Sequence, residues 1–391
     1  MTVAIIGQGY VGLPLALAAT RAGHDVIGID TNKNLVSMLN NGVSPIGDIS
    51  NEQICDALDT GRYQAKDDFN FIERSQIIVI CVPTPLDSKH NPDFSMLEDA
   101  IRALAKNIKN NPLIIVESTV SPGTTRTLVK NILEKTSQSF DLAYSPERID
   151  PGNKKWNVEN TPKLVAGIDE NSTSRAAKFY KSFIKEVVVG PSIEVIETAK
   201  LLENSFRLIN IAFVSEFADF CSKMEIDVRD VIDAAATKPY GFMPFYPSVG
   251  IGGHCIPVDP SYLVAKAKEV GAQTRFIDLA NNVNHNLPSY FAGVAKNLLG
   301  SLSQKRILII GVAYKPDVKD IRETPVLGLI EILRASGANV FWHDDMVGEW
   351  LGETSVPITG NYDLVILANP HSSCDLKLIG QTPILNTRGG Y

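Results

Sequence analysis

The 391-residue sequence has only five cysteines, at 55, 81, 221, 255 and 374, and no two stand in CxxC or CxxH spacing. That scatter speaks against a disulfide framework or a structural zinc site, so reduced thiols, a cytoplasmic location and no metal are expected. No apolar run reaches the length of a membrane helix. No basic leader or small-residue cleavage site precedes the apolar run Val3-Ala4-Ile5-Ile6, so export is not expected. Basic residues are outnumbered, 37 against 44, for a net charge of −7. A general attraction to nucleic acid or acidic membranes is thereby excluded, while a local basic pocket for a small anion stays open. Apolar residues at 44% and charged residues at 21% are ordinary for a globular protein. The length is too great for one core, so two or three domains are expected.

The run Val3–Ile6 reads as a buried parallel strand, followed by Gly7-Gln8-Gly9-Tyr10-Val11-Gly12 and a helix from Leu13 to Ala22. Val26–Ile29 is the next strand and ends on Asp30, 18 residues after the third glycine. A G-x-G-x-x-G string alone is weak evidence, but between a strand and a helix, with an acid at the next strand tip, it marks a dinucleotide site. Gly7 permits the tight turn, Gly9 the approach of a pyrophosphate, and Gly12 close helix–strand packing. Asp30 would hold the ribose hydroxyls and repel a 2′-phosphate, so NAD is favoured over NADP. Further buried strands end at Pro83-Thr84-Pro85, at Glu117-Ser118-Thr119 and at Ser145-Pro146-Glu147-Arg148. Ligands of a doubly wound sheet bind beyond such strand ends. Thr84 and Thr119 would also serve as plain turn residues, but their shared location favours the cofactor. Cys81, inside an apolar run, reads as core.

From Ser192 to about Lys223 apolar residues recur at helical spacing, predicting one long helix. Lys200 and Asn204 stand four apart on it, beside the apolar stripe. A lysine on a helix is ordinarily solvated; this one gains interest from the stretch Pro247–Pro260. There Gly250, Gly252 and Gly253 precede Cys255, with prolines 257 and 260 on either side of Asp259. A thiol and a carboxylate on so constrained a backbone suggest a nucleophile loop. His254 points away from its neighbour in an extended loop and is set aside, and the lone His285 reads as structural. At Arg306–Gly311 a second alternating unit begins, without a second glycine motif, and Lys315, Lys319 and Arg322 crowd the loop after its first strand. Such a loop suits a phosphate-bearing ligand about as well as it suits solvent.

Taken together, Gly7–Gly12, Val82–Pro85, Glu117–Thr119, Ser145–Arg148, Lys200–Asn204, Gly252–Pro260 and Tyr314-Lys315-Pro316 resemble the UDP-glucose/GDP-mannose dehydrogenase family along nearly the whole chain. The resemblance implies an α/β fold: two Rossmann-like doubly wound parallel-sheet domains joined by a long central helix and a helical domain. Its expected parts are an NAD-binding domain at 1–190, a central dimerisation and catalytic-cysteine domain at 191–300, and a UDP-binding domain at 301–391. It implies a homodimer through the central helix. It also implies NAD-dependent oxidation of a sugar C6 alcohol to a carboxylate, with two NAD⁺ per sugar and Cys255 as covalent holder of the aldehyde. Lys200 and Asn204 would stabilise the oxyanion, Asp259 would orient water, and Glu147 and Thr119 would serve proton transfer.

The resemblance further implies cofactor contacts from Tyr10, Val11, Thr84, Thr119 and Arg322 beside the glycines and Asp30. Substrate contacts would come from Glu147, Arg148, Lys200, Asn204, Arg207, Phe245, Tyr246, Gly252, Lys315 and Arg388. Ser145–Asn153 and Tyr240–Pro247 look like the branch acting on UDP-N-acetylhexosamines, with UDP-N-acetylglucosamine the first choice and UDP-N-acetylgalactosamine the second. UDP-glucose and UDP-N-acetylmannosamine are the alternatives, and the products would feed surface polysaccharide. Two departures from the family pattern stand out: Ser248-Val249 where that branch more often has Gly-Pro, and Asn386 where an aspartate is usual. A single-step dehydrogenase of the 6-phosphogluconate type would need no thiol. A nucleotide-sugar sensor would not need Lys200, Asn204, Cys255 and Asp259 together.

Overall fold

The computed structural model describes residues 1–136, 138–153 and 155–389. They form two compact units, Met1–Leu202 with Ser261–Ala272, and Glu203–Pro260 with Gln273 onward.

In the first unit, four apolar runs form fully buried strands: β4 (Ile77–Ile80), β5 (Leu113–Val116), β6 (Asp141–Tyr144) and most of β1 (Thr2–Ile6). Strands covered on both faces need no polar alternation, which is why β4 and β5 read as continuous Val/Ile/Leu runs. With β2 (Asp25–Ile29), β3 (Tyr63–Lys66), β7 (Lys163–Gly167) and β8 (Val187–Val189) they make one sheet in the order β3-β2-β1-β4-β5-β6-β7-β8. Only the β6–β7 pair is antiparallel. The crossovers carry α1 (Gly12–Arg21), α2 (Lys33–Asn40), α3 (Asn51–Asp59), α4 (Ser95–Ala105), α5 (Lys130–Leu133) and α6 (Glu170–Lys181). One face of the sheet packs Leu13, Leu17, Phe179 and Tyr180, and the other Leu97, Ile101, Leu104 and Leu133. The connection reverses between β1 and β4, and that switch point is where such sheets bind ligands.

The long apolar repeat forms α7 (Ile193–Lys223), 31 residues that run from the first unit into the second. Next come α8 (Val228–Ala236), α9 (Asp259–Glu269) and α10 (Arg275–Leu299). The second unit ends in a parallel sheet, order β10-β9-β13-β14, built from β9 (Arg306–Ile310), β10 (Asn339–His343), β13 (Leu364–Leu367) and β14 (Ile384–Asn386). A short antiparallel hairpin, β11 (Glu349–Trp350) and β12 (Glu353–Thr354), and the helix α11 (Val326–Ala335) complete it. Trp342, Leu329, Leu333 and Phe291 centre its core. Both sheets are Rossmann-like, as the alternation of strands and helices predicts. Helix α8 starts at Val228 because the Asp227 carboxylate caps it, and the residue before the intervening Ile226, Glu225, has a positive φ of 58°. Among the described residues no helix is long and apolar enough to cross a membrane.

Candidate active site

The glycine turn joins β1 to α1 at the switch point. A Cβ at Gly12 would lie 1.8 Å from the Gly7 carbonyl oxygen, so only glycine lets α1 start against that turn. Around Gly9, by contrast, nothing stands within 4 Å of where a Cβ would be. Helix α1 has no side-chain cap and no acidic residue in its first turn. The Leu13 N–H donates to the Gly9 carbonyl at 3.1 Å and Pro14 has no N–H. What the helix offers an anion is therefore its positive N-terminal end, which no acidic side chain compensates. Asp30 sits at the tip of β2; one carboxylate oxygen accepts from the Gln8 N–H at 2.9 Å and the other from the Asn32 N–H at 2.9 Å. These features fit a dinucleotide: an open glycine, an uncompensated helix N-terminus and a carboxylate fixed beside the turn. Gln8, a variable position of the motif, is fully buried and braces it. Its amide donates to the Ile5 carbonyl at 2.9 Å and accepts from the Tyr63 hydroxyl at 2.9 Å. Tyr63 comes from β3, a strand the sequence reading missed.

The remaining strand ends of this unit converge. The Thr84 hydroxyl donates to the Thr119 carbonyl at 2.8 Å, tying the loops after β4 and β5 together. The buried Tyr262, on α9, donates to the Thr84 carbonyl and at 3.3 Å to that of Pro85. Glu147, after β6, and Lys200, on α7, are both buried, with the ammonium 4.0 Å from the carboxylate. That separation exceeds a hydrogen bond. Arg148 donates to the Pro162 carbonyl at 2.7 Å. Cys81 lies against the core, where burial raises its thiol well above its ordinary range.

Helix α7 is anchored one turn before Lys200. Glu197 is fully buried, and its two oxygens accept from the N–H groups of Gly123 (2.5 Å) and Thr125 (3.0 Å). Burial, only partly offset by those N–H groups, pushes its carboxyl up to about 7. The signal was present in the sequence: a glutamate directly after Ile196, inside the apolar stripe.

In the second unit the thiol loop lies against the loop after β9. A Cβ on Gly252 would come within 2.6 Å of the Glu323 carbonyl oxygen, and one on Gly253 within 2.8 Å of the Tyr314 ring. The Gly253 N–H donates to the Arg322 carbonyl at 3.1 Å, and Asn284 of α10 accepts from the Ile251 N–H at 2.6 Å. Val249, one of the two departures, is buried in this unit's core. Cys255 is exposed. Its carbonyl accepts from the N–H groups of Val258 and Asp259, so the first turn toward α9 begins at the thiol residue. Asp259 and Asn204 are both buried, and the Asn204 amide donates to the Asp259 carboxylate at 2.5 Å. His254 is held below its ordinary range by burial and by Arg322, which favours the neutral ring.

The other proposed contacts of this unit have varied surroundings. Arg207 is exposed. Phe245 stacks edge-on against Phe206, 5.7 Å between centroids, and packs on the small α7–α8 core. The Tyr246 hydroxyl donates to Asp233 at 2.7 Å. Arg322 grips Asp320 through Nε and Nη2, at 2.6–3.1 Å. Lys315 stands in the same loop after β9. Arg388 donates to Asn369 at 2.9 Å, while its buried Nε has no hydrogen-bond partner among the described residues. Asn386, the second departure, accepts from the Arg388 backbone N–H at 3.0 Å. A residue that sequence reasoning passed over, Asp344, organises this end of the sheet. It accepts from the N–H groups of Val312 (2.8 Å), Met346 (2.9 Å) and Val347 (2.9 Å) and from His371 Nε2 (2.8 Å).

Comparison with known proteins gives three family matches. They are the NAD binding domain of the UDP-glucose/GDP-mannose dehydrogenase family over residues 1–184, its central domain over 194–286 and its UDP binding domain over 308–380. A UDP-N-acetyl-D-mannosamine dehydrogenase of Pyrococcus horikoshii is 32% identical over 380 residues, covering 95% of this chain and 90% of that protein. A UDP-N-acetyl-D-glucosamine 6-dehydrogenase of Pseudomonas aeruginosa is 32% identical over 397 residues, covering 95% and 91%. The solved structure of a UDP-D-ManNAc dehydrogenase from Pyrococcus horikoshii matches with a TM-score of 0.89 at 32% identity, over 99% of this chain and 95% of that one.

Proposed function

The chain belongs to the UDP-glucose/GDP-mannose dehydrogenase family and is an NAD-dependent oxidoreductase acting on a UDP-sugar, and from that premise we propose that it carries out the four-electron oxidation of a UDP-N-acetylhexosamine at C6. The observation that carries the reading is the exposed Cys255 thiol on the turn leading into α9, one turn from the buried Asn204–Asp259 pair. A single-step dehydrogenase has no use for that thiol.

Bound NAD⁺ supplies the hydride acceptor for both oxidations. Around it the glycine turn and the positive N-terminal end of α1 hold the pyrophosphate, and Asp30 holds the ribose. Tyr10, Val11, Thr84, Thr119 and Arg322 complete this set in our reading. At the sugar, a base first removes the C6 hydroxyl proton as the aldehyde forms. Cys255 then adds to the aldehyde carbon, and its thiol proton passes to the former carbonyl oxygen, giving the thiohemiacetal hydroxyl. Loss of the second hydride and the hydroxyl proton gives the thioester. Water attacks it, releasing the carboxylate and regenerating the thiol. Lys200 stabilises the oxyanion electrostatically. The Asn204 amide carries a second N–H besides the one given to Asp259, and donates it to the same oxygen. Asp259 orients the hydrolytic water, with Glu147 and Thr119 serving proton transfer. The UDP end falls to Lys315 and Arg388, whose unpartnered Nε suits a phosphate oxygen. Arg148, Arg207, Phe245, Tyr246 and Gly252 are assigned to the sugar.

The parts fall at 1–190 for the cofactor, 191–300 for dimerisation and the thiol, and 301–391 for UDP, a division the three family matches support. UDP-N-acetylglucosamine is the first substrate, and the products would feed surface polysaccharide. A second reading, UDP-N-acetylmannosamine, is favoured by the name of the Pyrococcus relative.

A panel of UDP-sugars, with NADH counted per sugar and product mass taken, tests both readings. We expect two NADH per sugar and a uronic acid from UDP-N-acetylglucosamine. Turnover of only the mannosamine sugar moves the substrate to the second reading, and a ratio of one overturns the two-step chemistry. Cys255→Ala should lower the ratio from two to one and release aldehyde. An unchanged ratio in that variant would remove the thiol from the mechanism.

A further inference from the structure

His343, the last residue of β10, and Asp345 flank Asp344, and side chains in extended chain alternate between faces. Asp344 turns inward to the backbone donors described above, while His343 and Asp345 come together, with Nε2 3.0 Å from the Asp345 carboxylate. Cys374 joins them from the turn after β13. One ligand atom from each of the three residues lies within 4.8 Å of the other two.

The hydrogen bonds around this trio set its chemistry. His343 Nδ1 is 2.6 Å from the Val356 carbonyl oxygen, which has no proton to give, so Nδ1 must donate. In the neutral ring Nε2 then carries a lone pair, and that lone pair faces a carboxylate oxygen 3.0 Å away. Two acceptors meet unless a proton or a cation lies between them. A histidine whose other nitrogen donates to a backbone carbonyl is the usual metal-ligating arrangement. The Asp345 carboxylate is oriented in turn: its other oxygen accepts from the Ser373 hydroxyl at 2.9 Å.

We infer that His343, Asp345 and Cys374 form a binding site for one divalent cation of the zinc class, in the UDP-binding region and apart from the catalytic thiol. Imidazole, thiolate and carboxylate together suit Zn²⁺, whereas Mg²⁺ and Ca²⁺ take oxygen ligands. On one tetrahedral Zn²⁺ such atoms sit about 3.3–3.6 Å apart. The histidine and aspartate, 3.0 Å apart, need only part by a few tenths of an ångström, and the thiol sulfur closes the remaining distance by side-chain rotation. Binding converts the Cys374 thiol to a metal thiolate and releases its proton to solvent, with no change of oxidation state. The site ties the β10 end to the turn after β13. Cysteine spacing does not reveal the site, because Asp345 and Cys374 stand 29 residues apart in the chain.

Co²⁺ titrated into the chelator-treated full chain reads the site directly. One equivalent should give a thiolate-to-Co²⁺ charge-transfer absorption, present in Cys255→Ser and lost in Cys374→Ser and His343→Gln. Zn²⁺ should displace the band and raise the thermal midpoint of the wild type, but not of Cys374→Ser. Ser373→Ala should weaken binding by about tenfold, as loss of an orienting partner does. Metal-free midpoints of the variants, matched to the wild type, separate lost binding from lost folding. A wild type without the band overturns the site and leaves a His343–Asp345 ion pair. A band lost in Cys255→Ser but kept in Cys374→Ser overturns it equally.

Discussion

Glu117 is nearly fully buried, with the Lys163 ammonium 2.9 Å away and the Tyr180 hydroxyl donating to the same oxygen. Burial and that carboxylate raise the Tyr180 phenol well above its ordinary range, so it stays a donor. Taking two charges out of water is costly, and the pair is tolerated because each charge has its partner. Removing one partner leaves the other charge stranded. Glu117→Ala should therefore destabilise the first unit by about 3–5 kcal/mol, seen as a lower midpoint in chemical denaturation. The NADH count per sugar in the folded fraction should stay at two. An unmoved midpoint would show that the buried lysine finds another partner. The neighbouring residues of this motif divide differently: the Ser118 hydroxyl is spent on the Val82 carbonyl at 2.6 Å, while Thr119 lends only its carbonyl to Thr84. The Thr119 hydroxyl is the group left for chemistry in our reading.

At the scale of elements, α7 is held by an acid that titrates near neutrality. The folded Glu197 carboxyl lies at about 7 against an ordinary 4.5, chiefly through burial. Between those values the folded chain keeps a proton that the unfolded chain has released. Its contribution to stability is therefore complete below pH 4.5, declines as pH rises toward about 7, and is flat above. The wild type should lose stability over that window, and Glu197→Gln should abolish this slope while losing about 1–3 kcal/mol overall from a mismatched N–H donor. Thermal midpoints at half-unit pH steps check it, and a slope that survives the substitution would assign it to another group. Helix α7 itself was legible because apolar residues at a 3.6-residue repeat cannot be mistaken over nine turns. The same holds for β1, β4 and β5, which are continuous apolar runs between turn signals. Strand β3 was not, because Tyr63-Gln64-Ala65-Lys66 is half polar and becomes a strand only by pairing with β2. The glycine turn and the Cys255 loop were legible from residue type and spacing. The braces Gln8, Tyr63 and Asp344 were not, because each works through a partner distant in sequence, and of Glu197 only its place beside Ile196 could be read.

For the whole molecule, the surface of α7 argues for a second copy of this chain. Val195, Leu202, Phe206, Phe213 and Phe220 are all exposed, between 45% and 65%. Their spacings of seven, four, seven and seven residues place them on a single stripe of the helix. Scattered exposed apolar side chains need no explanation, but an aligned row of large ones marks an interaction face. A straight helix face is self-complementary under a two-fold axis, so one stripe serves both partners. A dimer through this stripe is the expectation that the family resemblance implies, and it is tested separately from the chemistry. The wild type should sediment at twice the 42.6 kDa chain mass. The double substitution Phe213→Glu and Phe220→Glu sets like charges along the stripe and should return the protein to one chain mass. Because both rings are solvent-exposed, the variant should keep the wild-type circular dichroism. A monomeric wild type at micromolar concentration, or a variant that stays dimeric, would move the interface to another face.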